Sequence, residues 1–222
     1  KARPDWWDSD ECQRYINYCN EPSLKNLFIG AISCGPRFFE QAHLTVDDVT
    51  LDATTPFIRF PAEITKSNKE RMVIIPKHYI EFYMTLTLGR DPNDFLFERV
   101  GGKKDTLYWK RNTYQKPFHT VREAAGLKRL TWHSLRHSYA SQLVNAGVPL
   151  KIVAEQLGHS TTTLVERWYG HLCNKVVQNA MDFLPVMNNL ITDSAAVVKI
   201  RRTNYTSTGN KTHQPDLIDG RS

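Results

Sequence analysis

The chain has 222 residues, of which 41% are hydrophobic and 23% charged, a composition typical of a globular protein with a packed core. The apolar runs all fall short of the ~20 residues that span a bilayer, so we expect no membrane partner. Lysine and arginine outnumber the acidic residues by 29 to 23, which gives a formal net charge of +6. Such an excess is compatible with nucleic-acid binding but does not require it.

The four cysteines form no CxxC pair, which argues against a zinc site or a disulfide framework. We expect reduced thiols in a cytoplasmic protein. The opening KARPDWWDSDE is too polar and acidic for a signal peptide, and it lacks a methionine, so we expect a fragment or a processed chain. The cysteines are Cys12, Cys19, Cys34 and Cys173.

The first 44 residues have a helical pattern. Asp8 and Glu11 have capping-box spacing and predict the start of a first helix. A second helix is predicted after Pro22 and ends near Cys34, where Gly35 and Pro36 follow. A third, short helix is predicted from Arg37 to about Leu44.

A patch rich in β-branched residues follows, and its alternation predicts three strands. The polar stretch Lys66–Glu70 separates the last two strands as a hairpin turn, so we expect a small antiparallel sheet. The predicted strands are Val49–Leu51, Phe57–Thr65 and Arg71–Ile75.

The rest of the chain is predicted to be helical up to Leu184. We therefore predict an α+β fold, mainly α-helical with a small three-stranded antiparallel sheet, over residues 1–184. Residues 185–222 are predicted to be a C-terminal tail, partly disordered or docked through its apolar patch Ala195–Ile200 on its own chain or on another. The predicted helices are His78–Leu88, Thr106–Ala125, Trp132–Ala146, Leu150–Leu157 and Thr161–Leu184.

Three stretches combine residues that suit one kind of chemistry. Together they supply two arginines, a lysine, two histidines and a tyrosine, with neither a paired-carboxylate nor a metal-ligand spacing, so the set suits a phosphate. Taken singly, each residue also has an ordinary reading as a helix-surface ion pair, a solvated turn or a core side chain. The stretches are SCGPRFFEQAHLTVDDV with Arg37 and Glu40, ITKSNKERMVIIP with Lys66, and TWHSLRHSYASQLVNAGVPLKIVAEQLGHSTTTLVERWYGHL with His133, Arg136, His159 and Tyr169.

The order of these stretches resembles the tyrosine recombinase (phage integrase) family. HSLRH matches the HxxR box of that family, and LGHS precedes the tyrosine of ERWYGHL as the box leading to the nucleophile does. GPRFFEQAHLTVDDV matches the first-arginine box, and TKSNKERMVIIP resembles the hairpin that carries the catalytic lysine. The resemblance covers roughly Trp6 to Phe183 and implies the catalytic-domain fold of the family.

The resemblance also implies an activity. Tyr169 would attack a scissile DNA phosphate and form a 3′-phosphotyrosyl link, while Lys66 would protonate the leaving 5′-oxygen. The implied partners are double-stranded DNA and other recombinase protomers, with a tetramer on DNA and a monomer alone. No cofactor or metal is implied, because the covalent ester conserves the bond energy needed for rejoining.

The phosphate-binding roles are implied in the same way. Arg37 and Arg136 would hold the non-bridging oxygens, His133 would assist proton transfer and bind the phosphate, and His159 would hydrogen-bond an oxygen. Glu40 would support the arginine region rather than react. The expected protein is the catalytic domain of an integrase of a phage or another mobile element, cut from a longer chain that carries further DNA-binding domains.

The sequence departs from the family pattern in two places and leaves some alternatives open. Pro36 directly precedes Arg37, and the tyrosine lies ten residues after His159, so that Trp168 takes the commoner ninth position. Lys69 is an alternative to Lys66 in the same turn. A type IB topoisomerase-like enzyme and an inactive DNA-binding relative are the alternative functions. Three basic pairs either touch the DNA backbone or form ordinary exposed faces: Lys103–Lys104, Lys110–Arg111 and Lys128–Arg129.

Overall fold

A computed structural model describes residues 5–99 and 108–181, with side chains up to residue 173. The described residues lie in one compact unit and contain eight α-helices and one sheet. Between them they hold no helix with the length and apolar character that crossing a membrane requires. The helices are α1 (Ser9–Tyr18), α2 (Pro22–Cys34), α3 (Phe38–Ala42), α4 (Ile80–Thr87), α5 (Arg111–Ala124), α6 (Trp132–Asn145), α7 (Leu150–Leu157) and α8 (Thr163–Met181); the strands are β1 (Val49–Thr50), β2 (Phe57–Phe60) and β3 (Arg71–Ile74).

The first two helices begin and end where their local chemistry predicts. Asp8 caps α1 by accepting a hydrogen bond from the Glu11 amide at 2.8 Å, and the Glu11 carboxylate accepts one from the Asp8 amide at 3.0 Å. Pro22 occupies the first position of α2, where a missing N–H costs nothing. Gly35 ends this helix with φ of 58°, a left-handed conformation that glycine adopts without strain.

The sheet has the predicted antiparallel order β1-β2-β3. Its second strand is shorter than predicted, because it ends at Phe60 instead of Thr65. Pro61 follows directly, and proline cannot donate to the strand ladder. The chain then makes a 3-10 turn over Ala62–Ile64 before it reaches the hairpin turn.

Four helices begin later than the periodicity predicts. α4 begins at Ile80 instead of His78, because a 3-10 turn over Lys77–Tyr79 precedes it. Arg37 is the extended N-cap of α3 rather than its first residue. Lys110 precedes α5 and donates its amide to Thr113 Oγ1 at 3.0 Å, while the predicted start at Thr106 lies outside the described residues. Thr162 precedes α8, and its carbonyl accepts the Glu166 amide at 2.8 Å. At α3 and α8, residues that cap or precede the helix occupy the first positions of the predicted helix.

Two clusters of buried side chains form the core, and α6 contributes to both. The larger is aromatic at its centre, where the rings of Tyr15 and Phe28 stack with centroids 4.1 Å apart. The smaller joins α6, α7 and α8 through Tyr139, Leu157 and Tyr169. Because α6 is held on two sides, side chains along it have a fixed position relative to the start of α3 and to α8.

Candidate active site

One cavity of about 220 Å³ collects six side chains that are far apart in the chain. They come from the start of α3, the β2–β3 turn, α6, the turn after α7, and α8. The fold therefore brings every predicted phosphate-facing residue to one place. The six are Arg37, Lys66, His133, Arg136, His159 and Tyr169.

Arg37 is held by Glu40 and still reaches solvent. Its backbone amide donates to Glu40 Oε2 at 2.9 Å, and its guanidinium donates to Glu40 Oε1 at 2.8 Å. The Arg37 side chain is 29% exposed, whereas Glu40 is 1% exposed. Glu40 thus anchors one edge of the guanidinium and leaves the rest accessible to an anion in the cavity.

Arg71 binds the same carboxylate from the other side and was not predicted as a site residue. Its guanidinium donates to Glu40 Oε2 at 2.6 Å and lies over the Phe60 ring, 4.1 Å from the centroid. Burial alone would raise the pKa of Glu40, but the hydrogen bonds and charge of Arg71, with those of Arg37, hold it below the ordinary value. Glu40 is therefore a buried, ionised support for the arginine region.

Arg136 is buried and fixed by the ends of two helices. Its guanidinium donates to the Gly35 carbonyl at 2.9 Å, at the end of α2, and to the Leu157 carbonyl, the last residue of α7. Helix C-termini carry partial negative charge, which favours a cation at this point. Burial lowers the pKa of Arg136 to about 9, so the group remains cationic at neutral pH.

Both predicted site histidines, His133 and His159, are neutral in this surrounding. Burial, followed by the charges of Arg136 and Arg37, lowers the pKa of His133 and brings that of His159 to about 4. Gly158 ends α7 with φ of 68° and turns the chain so that His159 faces the cavity. The Nδ1 atom of His159 is buried with no hydrogen-bond partner among the described residues.

The lysine of the hairpin turn also reaches the cavity. Lys66 is exposed and lines the cavity, whereas its alternative Lys69 is not among the lining residues. Thr65 fixes the turn, because its hydroxyl donates to the Lys69 carbonyl at 2.9 Å and accepts the Lys69 amide at 3.1 Å. The backbone of Lys69 thus closes the turn, and Lys66 presents its ammonium to the site.

Tyr169 projects from α8 into the buried side of the cavity and is 3% exposed. Its hydroxyl forms a hydrogen bond with Nδ1 of His137, a buried residue that sequence reasoning missed. Burial raises the pKa of Tyr169, and the positive charge of Arg136 acts in the opposite direction. The spacing of His137 four residues after His133 was the available signal, since such residues share a helix face.

A second cleft of about 450 Å³ adjoins the cavity at His133. Trp132 is buried, and its Nε1 has no hydrogen-bond partner among the described residues. Arg111 adds positive charge to a lining that is mostly aromatic and also includes the polar residues Gln115 and Thr131. The aromatic lining residues are Phe38, Phe39, Tyr114 and Trp132.

The three basic pairs named in the sequence differ in their surroundings. Lys110 and Arg111 are both exposed, and Arg111 lines the second cleft. Lys128 lies 3.9 Å from Asp5 and 3.8 Å from Glu11, which neutralise part of its charge. The pair Lys103–Lys104 lies outside the described residues, as do the apolar patch Ala195–Ile200 and the predicted tail.

Comparisons with known proteins identify the family and the fold of the chain. The model of the phage integrase family matches residues 5–175. A tyrosine recombinase of Thermosipho africanus is 31% identical over 172 residues, which are 72% of this chain and 56% of that protein. The chain spans about half the length of the curated relatives it matches.

Solved structures share the fold. The catalytic domain of bacteriophage HP1 integrase superposes with a TM-score of 0.57 at 23% identity, over 82% of this chain and 96% of that one. The Tn1549 transposon integrase in complex with a circular intermediate DNA gives a TM-score of 0.65 at 16% identity, over 83% of this chain and 67% of that one. At these identities the likeness establishes the fold, and it confirms the predicted mainly helical architecture with its three-stranded sheet. With the family match, it follows that the chain belongs to the phage integrase family, the tyrosine recombinases.

Proposed function

We propose that this chain is the catalytic part of a site-specific DNA recombinase that cuts and rejoins strands through a covalent 3′-phosphotyrosyl intermediate. The observation that carries the proposal is the convergence of two arginines, two histidines, a lysine and a tyrosine on one cavity. This residue set contains two planar guanidinium groups that can bind a phosphate and one hydroxyl group that can act as a nucleophile. Membership of the family supports the same chemistry.

In the proposed reaction, the scissile phosphate binds between the two arginines. The exposed edge of Arg37 and the buried fork of Arg136 hold the non-bridging oxygens, whose charge grows as a fifth ligand approaches phosphorus. His133 and His159 donate further hydrogen bonds, and the unpartnered Nδ1 of His159 gains its partner. Loss of one such preorganised donor lowers rates by about 10²–10³-fold.

Strand cleavage then exchanges one ester for another. The Tyr169 Oη atom passes its proton to a base in the cavity and forms a bond to phosphorus. The bond from phosphorus to the 5′-oxygen breaks, and its electron pair stays on that oxygen. Lys66 supplies the proton that makes the oxygen a 5′-hydroxyl, since an alkoxide is a poor leaving group. The reverse sequence rejoins a strand with no change in the number of phosphodiester bonds, so we infer a reaction independent of ATP. We also infer independence of metal ions, because the arginines and Lys66 supply the positive charge and the proton that the reaction needs.

We extend the proposal to the biological setting. In this proposal residues 1–184 are the catalytic domain, and four protomers, monomeric when free, assemble on double-stranded DNA. The aromatic second cleft with Arg111 supports contact with a DNA strand beside the cavity. The match to the phage integrase family is the ground on which we propose integration or excision of a mobile element. Four free cysteines fit the reducing cytoplasm of a host cell.

The test is covalent capture. The 222-residue chain is incubated at low salt, where phosphate contacts are strongest, with a pool of nicked duplexes of random sequence, and adducts that resist detergent are isolated and sequenced. We expect an adduct whose freed 5′-hydroxyl is labelled by a kinase, and we expect a Tyr169→Phe variant to give none. Tyr18→Phe is the matched control, because Tyr18 is 52% exposed on α1. An adduct that persists with Tyr169→Phe would refute the assigned nucleophile, and its absence from the wild-type chain would refute the proposed activity.

A further inference from the structure

The HSLRH stretch contains a second histidine that the roles described above do not use. His137 lies one turn after His133 on α6 and lines the same cavity. Its Nδ1 atom shares a hydrogen bond with the Tyr169 hydroxyl, across 32 residues of chain. Within the described residues, no hydrogen bond joins His133 to that hydroxyl. The imidazole in contact with the nucleophilic oxygen is therefore that of His137.

The ring of His137 is held in place from two sides. Its centroid lies 5.0 Å from the Trp168 ring and 5.0 Å from the His133 ring, both in edge-to-face geometry. The residue is 8% exposed. A ring packed in this way cannot turn away from Tyr169 without displacing its neighbours, so the contact is part of the site's resting geometry.

The groups around His137 keep it neutral. Burial, then His133 and Arg136 on its own helix, and His159 in the turn after α7, lower its pKa to about 4. Arg37 and Lys66 face it across the cavity, and Tyr169 faces it from α8. At neutral pH the imidazole therefore carries one free lone pair, which is what a proton acceptor requires. The phenol, whose pKa burial raises, keeps its proton in the free protein.

We propose that His137 is a further catalytic residue that accepts the proton of the Tyr169 hydroxyl as Oη attacks phosphorus. This inference rests on the proposed function. One proton passes from Oη to Nδ1 while the Oη–phosphorus bond forms and the phosphorus–5′-oxygen bond breaks. In rejoining, Nδ1 returns the proton to Oη as the tyrosyl ester is released. His133 is left to bind the phosphate, which separates two tasks that the sequence assigned to one histidine.

The timing of the transfer follows from the same surroundings. Transfer before attack would leave an imidazolium beside Arg136 and a buried phenolate, and both ions are disfavoured there. Bond formation to phosphorus makes the phenolic proton much more acidic, and the anionic phosphate stabilises the imidazolium. The proton therefore moves during attack and not before it, as in general-base catalysis.

The test separates His137 from Lys66 and from the packing of the ring. The duplex recovered by covalent capture is synthesised with a 5′-bridging sulfur at the scissile phosphate, because a thiolate leaves without a proton donor. The rate of adduct formation is measured from about pH 6 to about pH 9, a range on both sides of neutral pH in which a neutral imidazole can act as a general base. The variant is His137→Asn, whose side-chain amide can hydrogen-bond at the Nδ1 position but cannot take up a proton. His78→Asn, an exposed histidine outside the cavity, is the matched control.

We expect the wild type and His78→Asn to show nearly flat profiles. His137→Asn should be slower by about 10²–10⁴-fold at neutral pH and should accelerate with rising pH, since hydroxide must then remove the proton. A His137→Asn profile parallel to the wild type would overturn the inference while leaving the proposed function intact. Loss of adduct from the wild type would count instead against the proposed function.

A second measurement needs neither DNA nor a folded variant at position 137. Imidazole ¹⁵N resonances of the free wild-type chain should show His137 with an unprotonated Nδ1, and Tyr169→Phe should shift that resonance by removing the hydrogen-bond donor. A proton resident on Nδ1 of the neutral ring would overturn the inference, because that atom could then accept nothing.

Discussion

The buried carboxylate of Glu40 makes the sharpest test of how the arginine region is built. Glu40 accepts three hydrogen bonds, at 2.9 and 2.8 Å from Arg37 and at 2.6 Å from Arg71. Glu40→Gln removes the charge and replaces one acceptor oxygen by a donor nitrogen that opposes a guanidinium. At least one charge-assisted bond is lost, which costs about 1.5–3 kcal/mol. The 8%-exposed side chain of Arg71 then loses its counter-charge, so the total loss of unfolding free energy should reach about 3–5 kcal/mol.

Urea unfolding of wild type and variant measures this loss, and the chain supplies a matched control. Arg90 and Glu98 form an ion pair of similar length, 2.9 Å, but their side chains are 22% and 35% exposed. Glu98→Gln should cost no more than about 1 kcal/mol, because solvent screens the pair. If Glu40→Gln cost no more than Glu98→Gln, the argument that burial makes this carboxylate indispensable would be refuted.

The same carboxylate gives a pH dependence with a defined sign. The pKa of Glu40 is lower in the folded chain than its ordinary value, so its contribution to stability is complete above the unfolded-state pKa of about 4.3. It is lost as pH falls through the folded-state pKa. Glu40→Gln should therefore flatten the loss of stability below about pH 5 in acid unfolding curves. An unchanged slope would show that other carboxylates control acid unfolding.

Three further predictions concern the cavity itself. Arg136→Lys should lower the rate of adduct formation by about 10²–10³-fold, because an ammonium lacks the planar guanidinium whose donors reach two helix-end carbonyls and leave others for a phosphate. An unchanged rate would show that the guanidinium is dispensable. Gly158→Ala should lower the melting temperature, since the φ of Gly158 is 68° and the new Cβ would lie 3.0 Å from Arg71 Cδ. Equal melting temperatures of variant and wild type would contradict this prediction. Lys66→Ala should lose adduct formation on the ordinary duplex and regain it on the duplex with the 5′-bridging sulfur. Lys69→Ala should behave as wild type on both duplexes. If the sulfur-containing duplex did not restore adduct formation by Lys66→Ala, Lys66 would not be the proton donor.

Local chemistry was sufficient to predict much of the fold. The capping box at Asp8, the proline that starts α2 and the glycine that ends it are each decided by neighbouring residues. The error at β2 has a local cause as well, because Pro61 ends the strand although the apolar pattern continues beyond it. Periodicity alone overextended that strand, and weighing the proline would have shortened it.

The parts of the site that were missed depend on contacts between distant segments. Arg71 acts through a carboxylate 31 residues away, and His137 acts through a hydroxyl 32 residues away. No spacing within either segment encodes these partners. Glu40 was predicted to support the arginine region, and the structure places it between two guanidiniums, but only the tertiary fold identifies the second one.

The tyrosine at the centre of the site is also an interior side chain. Together with Tyr139 and Leu157 it belongs to the smaller core cluster between α6, α7 and α8. A chain that swung this ring outward to serve a neighbouring copy would leave a void in its own interior, and losing a buried aromatic side chain costs about 3–5 kcal/mol. If Tyr169 is the nucleophile, as proposed above, its packing ties the reactive oxygen to the arginines of the same polypeptide, and partners in an assembly would exchange DNA ends rather than nucleophiles.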